Sequence, residues 1–246
     1  ELMIPATFVE TNCSWCVNDE VTREKLMRLK DAGLHGVLIS VNPFILEHVP
    51  FERTERAARI SREVFEENVV IYQEFFYQQF RGLGLKGTPS FERYLQESGA
   101  ESLDYVELIP MGRAPYKLDH LFRKRPAKEF FGENCREELT RPWHVHVDNY
   151  CNYMTGYCAG ISLGDARKLD SICREGVDLS EHPIIEALLT DVRELYELAV
   201  KECKYRELSG GYVSKCHLCV HIREHIVGQT SEFRELQPEQ FYHNLR

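Results

Sequence analysis

The chain has 246 residues, a formal net charge of -9 and nine cysteines. This length accommodates one large domain, or a large domain with a smaller appendage, built on a sizeable core. The acidic balance argues against an electrostatic grip on nucleic acid, and we interpret the one short basic run, at 123–125, as a solvated face. No apolar stretch approaches the ~20 residues of a membrane helix, so we expect no membrane partner.

The cysteines are unevenly placed, and no secretory signal opens the chain. This usage favours a reducing compartment, in which thiols bind metal, over a disulfide framework. We therefore expect a cytoplasmic protein. The chain begins with Glu1 and enters a strand-like segment almost at once, which predicts a piece of a longer protein.

The first half, up to about residue 115, alternates short apolar runs with longer helical periods. Parallel strands buried between crossover helices have this pattern. Asn18 or Asp19 provides a helix N-cap, and Gly33 a stop. The predicted strands begin at Phe8-Val9 and continue at 36–41, 69–72 and 105–109, with helices over about 19–33 and 52–68 between them.

The second half predicts a smaller unit that contains a hairpin. Residues 114–135 are charged and predicted helical. Residues 143–148 alternate with period two, which places His144, His146 and Asp148 on one strand face. That face could bind metal or move protons, but a solvated hairpin face is the preferred interpretation. A long amphipathic helix is predicted from Pro183 through Ala199, and a polar tail after about residue 228.

Four cysteines of the second half have the order of a metal site. Cys135 precedes the hairpin, Cys158 closes it, and Cys216 and Cys219 form a C-x-x-C pair at the mouth of a predicted helix. Two intervening residues let both sulfurs of a pair reach one centre, and thiolates select zinc or an iron-sulfur cluster. Cys151 competes with Cys135 for the first position, although its place in a turn favours a turn residue.

A second group of polar residues lies where predicted strands end. Asn12, Ser40 and Asn42 occupy such positions, where short polar side chains either cap the chain or bind a ligand. Cys13 and Cys16 form a second C-x-x-C beside Asn12. A redox pair, an extra ligand site and local packing all fit this spacing, and packing is preferred.

Several short motifs in order resemble the radical S-adenosylmethionine enzymes that carry a C-terminal auxiliary cluster domain of the SPASM or twitch type. Thr11-Asn12 resembles the end of the family's third barrel strand, and 38–42 (Leu-Ile-Ser-Val-Asn) its fourth-strand motif. Residues 109–114 (Ile-Pro-Met-Gly-Arg-Ala) resemble the turn after the sixth strand, and 163–165 (Leu-Gly-Asp) follow Cys158 as in the family.

The resemblance implies an α/β fold in which the C-terminal portion of a partial (β/α)6 TIM-like barrel (1–115) precedes a small α+β auxiliary cluster domain with a β-hairpin (116–228) and a polar tail (229–246). It implies an auxiliary 4Fe-4S cluster on Cys135, Cys158, Cys216 and Cys219, and a part of the S-adenosylmethionine pocket at Asn12, Ser40 and Asn42. The chain has no C-x-x-x-C-x-x-C loop. The cofactor-cleaving 4Fe-4S cluster is therefore expected in an upstream part, and this chain alone should be inactive.

The function that follows from the resemblance is that of an oxidoreductase that modifies a peptide or protein substrate, with a flavodoxin or ferredoxin as electron donor. Two alternatives stay open. The four cysteines suit a zinc-binding structural or interaction module equally well, because zinc and iron-sulfur sites share this ligand chemistry. A metal-independent enzyme of the α/β-barrel kind is the third reading.

Overall fold

The computed structural model describes residues 5–99, 101–102 and 111–246. The chain divides into two compact units, residues 1–108 (unit 1) and 109–246 (unit 2). The division falls at 108/109, whereas the sequence placed it at 115/116. The strand expected at 105–109 lies outside the described residues.

Unit 1 is α/β, and its three described strands form one parallel sheet in the order β1-β2-β3 that does not close into a barrel. The register pairs Phe8 with Gly36 and Ser40 with Tyr72. Its elements are β1 Phe8–Thr11, α1 Asp19–Asp31, β2 Gly36–Ser40, α2 Pro43–Leu46, α3 Phe51–Phe65, β3 Val69–Tyr72, α4 Glu74–Gly82 and α5 Phe91–Ser98.

The three described strands and the starts of α1 and α3 follow the sequence signals, whereas α2, α4 and α5 have no counterpart in the sequence prediction. β2 is buried at four of five positions, as its continuous apolar run predicts. Asn18 caps α1, because its side chain accepts a hydrogen bond from the Val21 amide at 2.8 Å. Tyr77 and Phe80 are buried core residues of α4, and the Phe80 ring packs edge-on against Tyr94 with centroids 5.4 Å apart.

Unit 2 combines a two-stranded antiparallel hairpin with helices around a second core. The segment 114–135, predicted helical, contains only short helical turns. The helices and strands of unit 2 are α6 Ala114–Lys117, α7 Arg136–Leu139, β4 Val145–Val147, β5 Tyr153–Thr155, α8 Leu169–Glu175, α9 Pro183–Thr190, α10 Val192–Cys203, α11 Lys215–Val227 and α12 Glu239–His243, with 3-10 turns at Asp119–Leu121, Ala127–Phe130, Ala166–Lys168 and Leu179–Glu181.

The long helix predicted from Pro183 is two helices, because the chain is extended at Asp191. The Asp191 carboxylate accepts hydrogen bonds from the Arg193 amide at 2.8 Å and from the Gly132 amide at 2.9 Å. It therefore caps α10 and ties that helix start to a distant loop. The apolar spacing continues across the break, which is why periodicity alone merged the two helices.

The segment 229–246, predicted to be a frayed polar tail, packs into unit 2. Leu236, Tyr242 and Leu245 are at most 2% exposed. Three buried side chains in a short segment are enough to hold it against the core, which corrects the expectation. Within the described ranges, no helix is both long and apolar enough to cross a membrane.

Candidate metal centre

The four predicted cysteines lie on three separate segments of unit 2. Cys135 directly precedes α7, Cys158 follows β5 in a turn, and Cys216 and Cys219 lie in the first two turns of α11. The Cys135 amide donates to the carbonyl of Leu188 at 2.7 Å, which fixes this segment against the end of α9. Cys135 and Cys219 are buried, and the other two are partly buried.

The structure brings these four thiols within electrostatic range of one another. Burial, and after it the charge of the Cys219 sulfur, raises the pKa of Cys158 to about 12 and that of Cys216 to about 11. The Cys135 pKa lies well above its usual range because of burial and then of the charges of the other three cysteines. With raised pKa values, the thiols of Cys135, Cys158 and Cys216 stay protonated near neutral pH, so a metal would have to displace their protons to bind.

A buried guanidinium lies against the cysteines. Arg223 is 3% exposed, and its Nε donates to Cys219 Sγ at 3.3 Å. Its Nη1 donates to the Ala159 carbonyl at 3.1 Å and to the Tyr242 hydroxyl at 2.6 Å. Among the described residues, Arg223 makes no salt bridge with a carboxylate. A buried cation of this kind is costly unless negative charge lies beside it.

The neighbouring Cys219 sulfur and Tyr242 phenol change the pKa of the Arg223 guanidinium. Burial by itself would lower the pKa of Arg223, but the Cys219 sulfur and Tyr242 outweigh burial and raise it. The Tyr242 hydroxyl in turn donates to the Gly160 carbonyl. Arg223 is therefore a permanent positive charge that the Ala159 carbonyl and the Tyr242 phenol hold against Cys219.

The turn that carries Cys158 approaches α12 so closely that it requires glycine. Gly160 has φ +80°, and a Cβ at this position would lie 2.5 Å from a ring carbon of Phe241 and 2.8 Å from the Tyr242 hydroxyl. No other residue fits without moving one of these groups. The segment 229–246 thus positions the cysteine turn as well as Arg223.

Lys215 supplies a second positive charge at the start of α11. Its Nζ lies 3.8 Å from the Glu138 carboxylate and donates to the Asn134 carbonyl, next to Cys135. Its charge acts to lower the pKa of both Cys135 and Cys216. The helix N-terminus adds a partial positive charge at Cys216. Two cations, Arg223 and Lys215, and the N-terminus of α11 therefore lie near the thiols.

Cys151, the competitor of Cys135, lies in the hairpin turn. It has φ +66°, and its amide donates to the Asp148 carbonyl at 3.0 Å. It is not among the groups that shift the pKa of Cys135, Cys158 or Cys216. The sequence interpretation of Cys151 as a turn residue agrees with this placement.

The thiols do not close on a single point. Over 5–99, 101–102 and 111–246, no group of three or more His, Cys, Asp or Glu side chains is arranged so that it could hold a metal ion. The donor chemistry of four thiols beside two cations fits an anionic metal-thiolate group. Such a group would draw the sulfurs into its own geometry.

Of the three residues predicted at the sheet edge, two line a pocket and the third caps a helix. Asn12 and Ser40 line one open pocket of about 510 Å³ at the carboxyl ends of β1 and β2. Glu10, which the sequence reading did not single out, lies in the same pocket and accepts a hydrogen bond from Ser40 Oγ at 2.6 Å. Asn42 instead caps α2, because its side chain accepts from the Ile45 amide at 2.9 Å.

The two hairpin histidines differ in exposure, since His146 is exposed and His144 is half-buried. Their rings are 4.6 Å apart, and His144 Nδ1 is buried without a hydrogen-bond partner among the described residues. The preferred interpretation of a solvated face therefore describes His146 but not His144. Asp148 turns away into the loop, where its carboxylate accepts from the Tyr150 and Asn152 amides at 2.9 and 2.8 Å.

Sequence reasoning found the four cysteines but missed the groups that surround them. Arg223 lies four residues after Cys219, so helical spacing could have placed it on the cysteine face of α11. Nothing in the local sequence predicts that Tyr242 would reach it. Comparison of the chain with protein-family models, with curated proteins and with solved structures found no match.

Proposed function

We propose that this chain is the C-terminal part of a radical S-adenosylmethionine enzyme. In this proposal Cys135, Cys158, Cys216 and Cys219 hold an auxiliary 4Fe-4S cluster. Unit 1 contributes the distal strands of a partial barrel and one edge of the S-adenosylmethionine pocket. The cysteines that would hold the cofactor-cleaving cluster are not in this sequence, so the whole reaction needs a further part.

The observation that carries the proposal is the buried Arg223 beside Cys219. A guanidinium that is 3% exposed, with no carboxylate partner in the described ranges, calls for negative charge close by. Neutral thiols would not supply that charge, whereas metal-bound thiolates would. The buried cation therefore supports a metal-thiolate centre over scattered core cysteines.

The arrangement of the four thiols favours a 4Fe-4S cluster over a single zinc ion. A zinc site needs four sulfurs at about 2.3 Å from one ion. The thiols of unit 2 interact through charge but are not arranged for such an ion. A 4Fe-4S cluster is a larger body in which each iron takes one thiolate. Zinc remains the alternative occupant, because its ligand chemistry is the same.

The protein groups around the centre have definable roles in this proposal. A bound cluster supplies one-electron transfer. Four cysteines would provide one thiolate ligand for each iron. This would leave no open coordination position for a substrate, which favours a role in electron transfer. Arg223 would hold Cys219 in place and favour added negative charge at the centre. Tyr242 and the Ala159 carbonyl fix Arg223, and the packing of α12 excludes water from it.

The sheet-edge pocket is the part of the proposal that concerns S-adenosylmethionine. Asn12 and Ser40 line this pocket, and the Glu10 carboxylate beside them could accept hydrogen bonds from a ribose diol or an ammonium group. Asn42 is occupied as a helix cap, so the support for it as a ligand residue is weaker. A peptidyl substrate, a flavodoxin or ferredoxin donor and a cytoplasmic location belong to the proposal through the family resemblance alone.

The test is metal analysis of the full chain. The chain is purified without oxygen, reconstituted with iron and sulfide, and assayed for iron, sulfide and zinc beside its visible and paramagnetic resonance spectra. We expect about four irons and four sulfides per chain. The double variant C216S/C219S should lose both, while C173S, which changes the exposed cysteine on α8, should retain them.

The other outcomes separate the alternatives. One zinc per chain without a stable cluster would replace the redox proposal with a structural zinc module. Wild-type folding and solubility in C216S/C219S, together with no bound metal in the parent chain, would overturn both metal readings and leave a metal-independent protein.

A further inference from the structure

A groove of about 1200 Å³ lies between α9, α10 and residues 229–233 of unit 2. None of the four cysteines of the proposed metal centre lines it. Two lysines, Lys201 and Lys204, lie in its walls, but the glutamates there outnumber them. The five glutamates come from all three segments and are Glu186, Glu194, Glu197, Glu202 and Glu232. We call this recess the acidic groove.

The floor of the acidic groove is apolar. Ala187 and Cys203 are buried, and the half-buried Leu198 and Phe233 pack against the same core. The His225 ring nitrogen Nε2 lies 2.8 Å from the Cys203 carbonyl oxygen, which ties this end of α10 to α11. The groove is therefore a recess with an apolar base and a charged rim, and not a flat acidic surface.

The carboxylates of the rim are mostly without a cationic partner in the ranges that the structure describes. Lys201 pairs with Glu202 at 2.8 Å, and the other four glutamates make no salt bridge there. Glu194 and Glu197 lie three residues apart on one face of α10, where like charges repel each other. The acidic groove thus has negative charge that its own lysines do not neutralise.

This charge is spread along the groove. Burial, and after it the charges of Glu202 and Glu232, raises the pKa of the Cys203 thiol in the floor, so both walls contribute. No three or more His, Cys, Asp or Glu side chains of the described residues are arranged to hold a metal ion, so the glutamates do not converge on one point. A divalent cation therefore matches the groove poorly. A ligand with several separated positive charges matches it better.

A lysine or arginine side chain joins an aliphatic stem to a charged head. Its stem would lie on Leu198 and Phe233, and its head would reach the carboxylates of the rim. A chain that carries several such side chains supplies the separated charges. We propose that the acidic groove binds a peptide segment rich in lysine and arginine. This deepens the proposed function and rests on it only in that the bound segment would belong to the peptidyl substrate.

The test is fluorescence anisotropy with the full chain and a short labelled peptide in which a leucine is flanked by arginines on both sides. A second peptide carries glutamine in place of arginine. Spermine, which has positive charges but is not a peptide, is added as a competitor. We expect saturable binding of the arginine peptide alone, weakened about tenfold when the salt rises from about 0.05 M to about 0.5 M.

Charge reversal locates the binding. E194K/E197K should weaken it about tenfold, because two attractive charges become repulsive. E66K/E67K is the matched control, since it changes the net charge equally at two exposed glutamates directly after α3 in unit 1. This control should bind the arginine peptide as the parent chain does.

A second variant, E186K/E232K, reverses the charges of the other two segments and should also weaken binding. It replaces E194K/E197K if circular dichroism shows that the first variant does not fold. The proposal is overturned if the parent chain shows no saturable binding, if E66K/E67K weakens binding equally, or if spermine competes as well as the peptide does. Iron is assayed on the same samples, so absent peptide binding in a chain that retains iron would overturn the groove but not the metal centre.

Discussion

Arg223 Nε donates to Cys219 Sγ at 3.3 Å, one helical turn away on α11. The relationship joins a residue that is always charged to one that is charged only when it is deprotonated or metal-bound. At the proposed centre, Arg223 would lie beside a thiol without metal and beside a thiolate with metal. The contact would then link metal binding to the stability of the surrounding residues.

If unit 2 holds the proposed cluster, we expect R223M to reduce the iron that it retains and to lower the reduction potential of the remaining cluster. A positive charge beside the cluster favours its reduced, more negative state, and removal of that charge takes the preference away. R223K, which retains the positive charge, should lower the reduction potential less than R223M does. A redox titration followed by paramagnetic resonance measures the change.

R246M provides the matched control for this substitution. Arg246 is exposed and pairs with Glu224 at 3.1 Å, away from the sulfurs. An equal shift of the potential in R246M would contradict a specific role for Arg223.

The assignment of Cys135 over Cys151 predicts opposite results for two serine variants. C135S should lose most of the reconstituted iron, because its thiol belongs to the mutually interacting four. C151S should retain the iron of the parent chain, because Cys151 lies in the hairpin turn. Iron per chain after reconstitution decides between them, and a loss confined to C151S would reverse the assignment.

G160A should destabilise unit 2 by about 2 kcal/mol more than G176A does. Both glycines have positive φ, +80° and +78°, so the backbone cost is shared. Only at Gly160 would the new Cβ meet Phe241 and Tyr242, since nothing lies within 4 Å at Gly176. Urea unfolding of both variants measures the difference. Equal destabilisation would mean that the turn shifts freely.

Substitutions of Asn42 and Asn12 should affect stability and ligand binding differently. N42A should cost about 1 kcal/mol of stability through loss of the α2 cap and change S-adenosylmethionine binding little. N12A should weaken that binding with a smaller effect on stability. Calorimetric titration and thermal unfolding of the two variants give both quantities. A larger binding defect in N42A would restore Asn42 as a ligand residue.

The hairpin turn should loosen only in acid. Burial acts to raise the pKa of Asp148, but hydrogen bonds from Asn152 and from the Tyr150 amide outweigh it, and the pKa is lowered. A carboxyl with a depressed folded pKa stabilises above its unfolded value, near 3.8, and this contribution is lost as pH falls through the folded value. Amide shifts of Tyr150 and Asn152 should follow this titration and stay flat in D148N.

Much of unit 1 could be predicted from local sequence. The apolar run of β2 and the Asn18 cap are local signals, and β2 and α1 lie where these signals predict them. In unit 2 the cysteine spacing identified the candidate centre. The pairing of Cys216 with the start of α11 also followed from neighbouring residues.

What could not be predicted depends on contacts between distant segments. Asp191 breaks a helix because it also binds the Gly132 amide, 59 residues away. Tyr242 reaches Arg223 from a segment whose composition suggested a loose tail. Such contacts override periodicity and composition, since both are read within a short window.

The core of unit 2 is apolar around two of the four cysteines. Cys135 and Cys219 lie among buried apolar side chains such as Ile184, Leu195 and Ile222. A small zinc finger lacks such a core and is unfolded without its ion. Burial of this hydrocarbon surface stabilises unit 2 by itself, so metal binding at the proposed centre would add to the stability of the fold rather than create the fold.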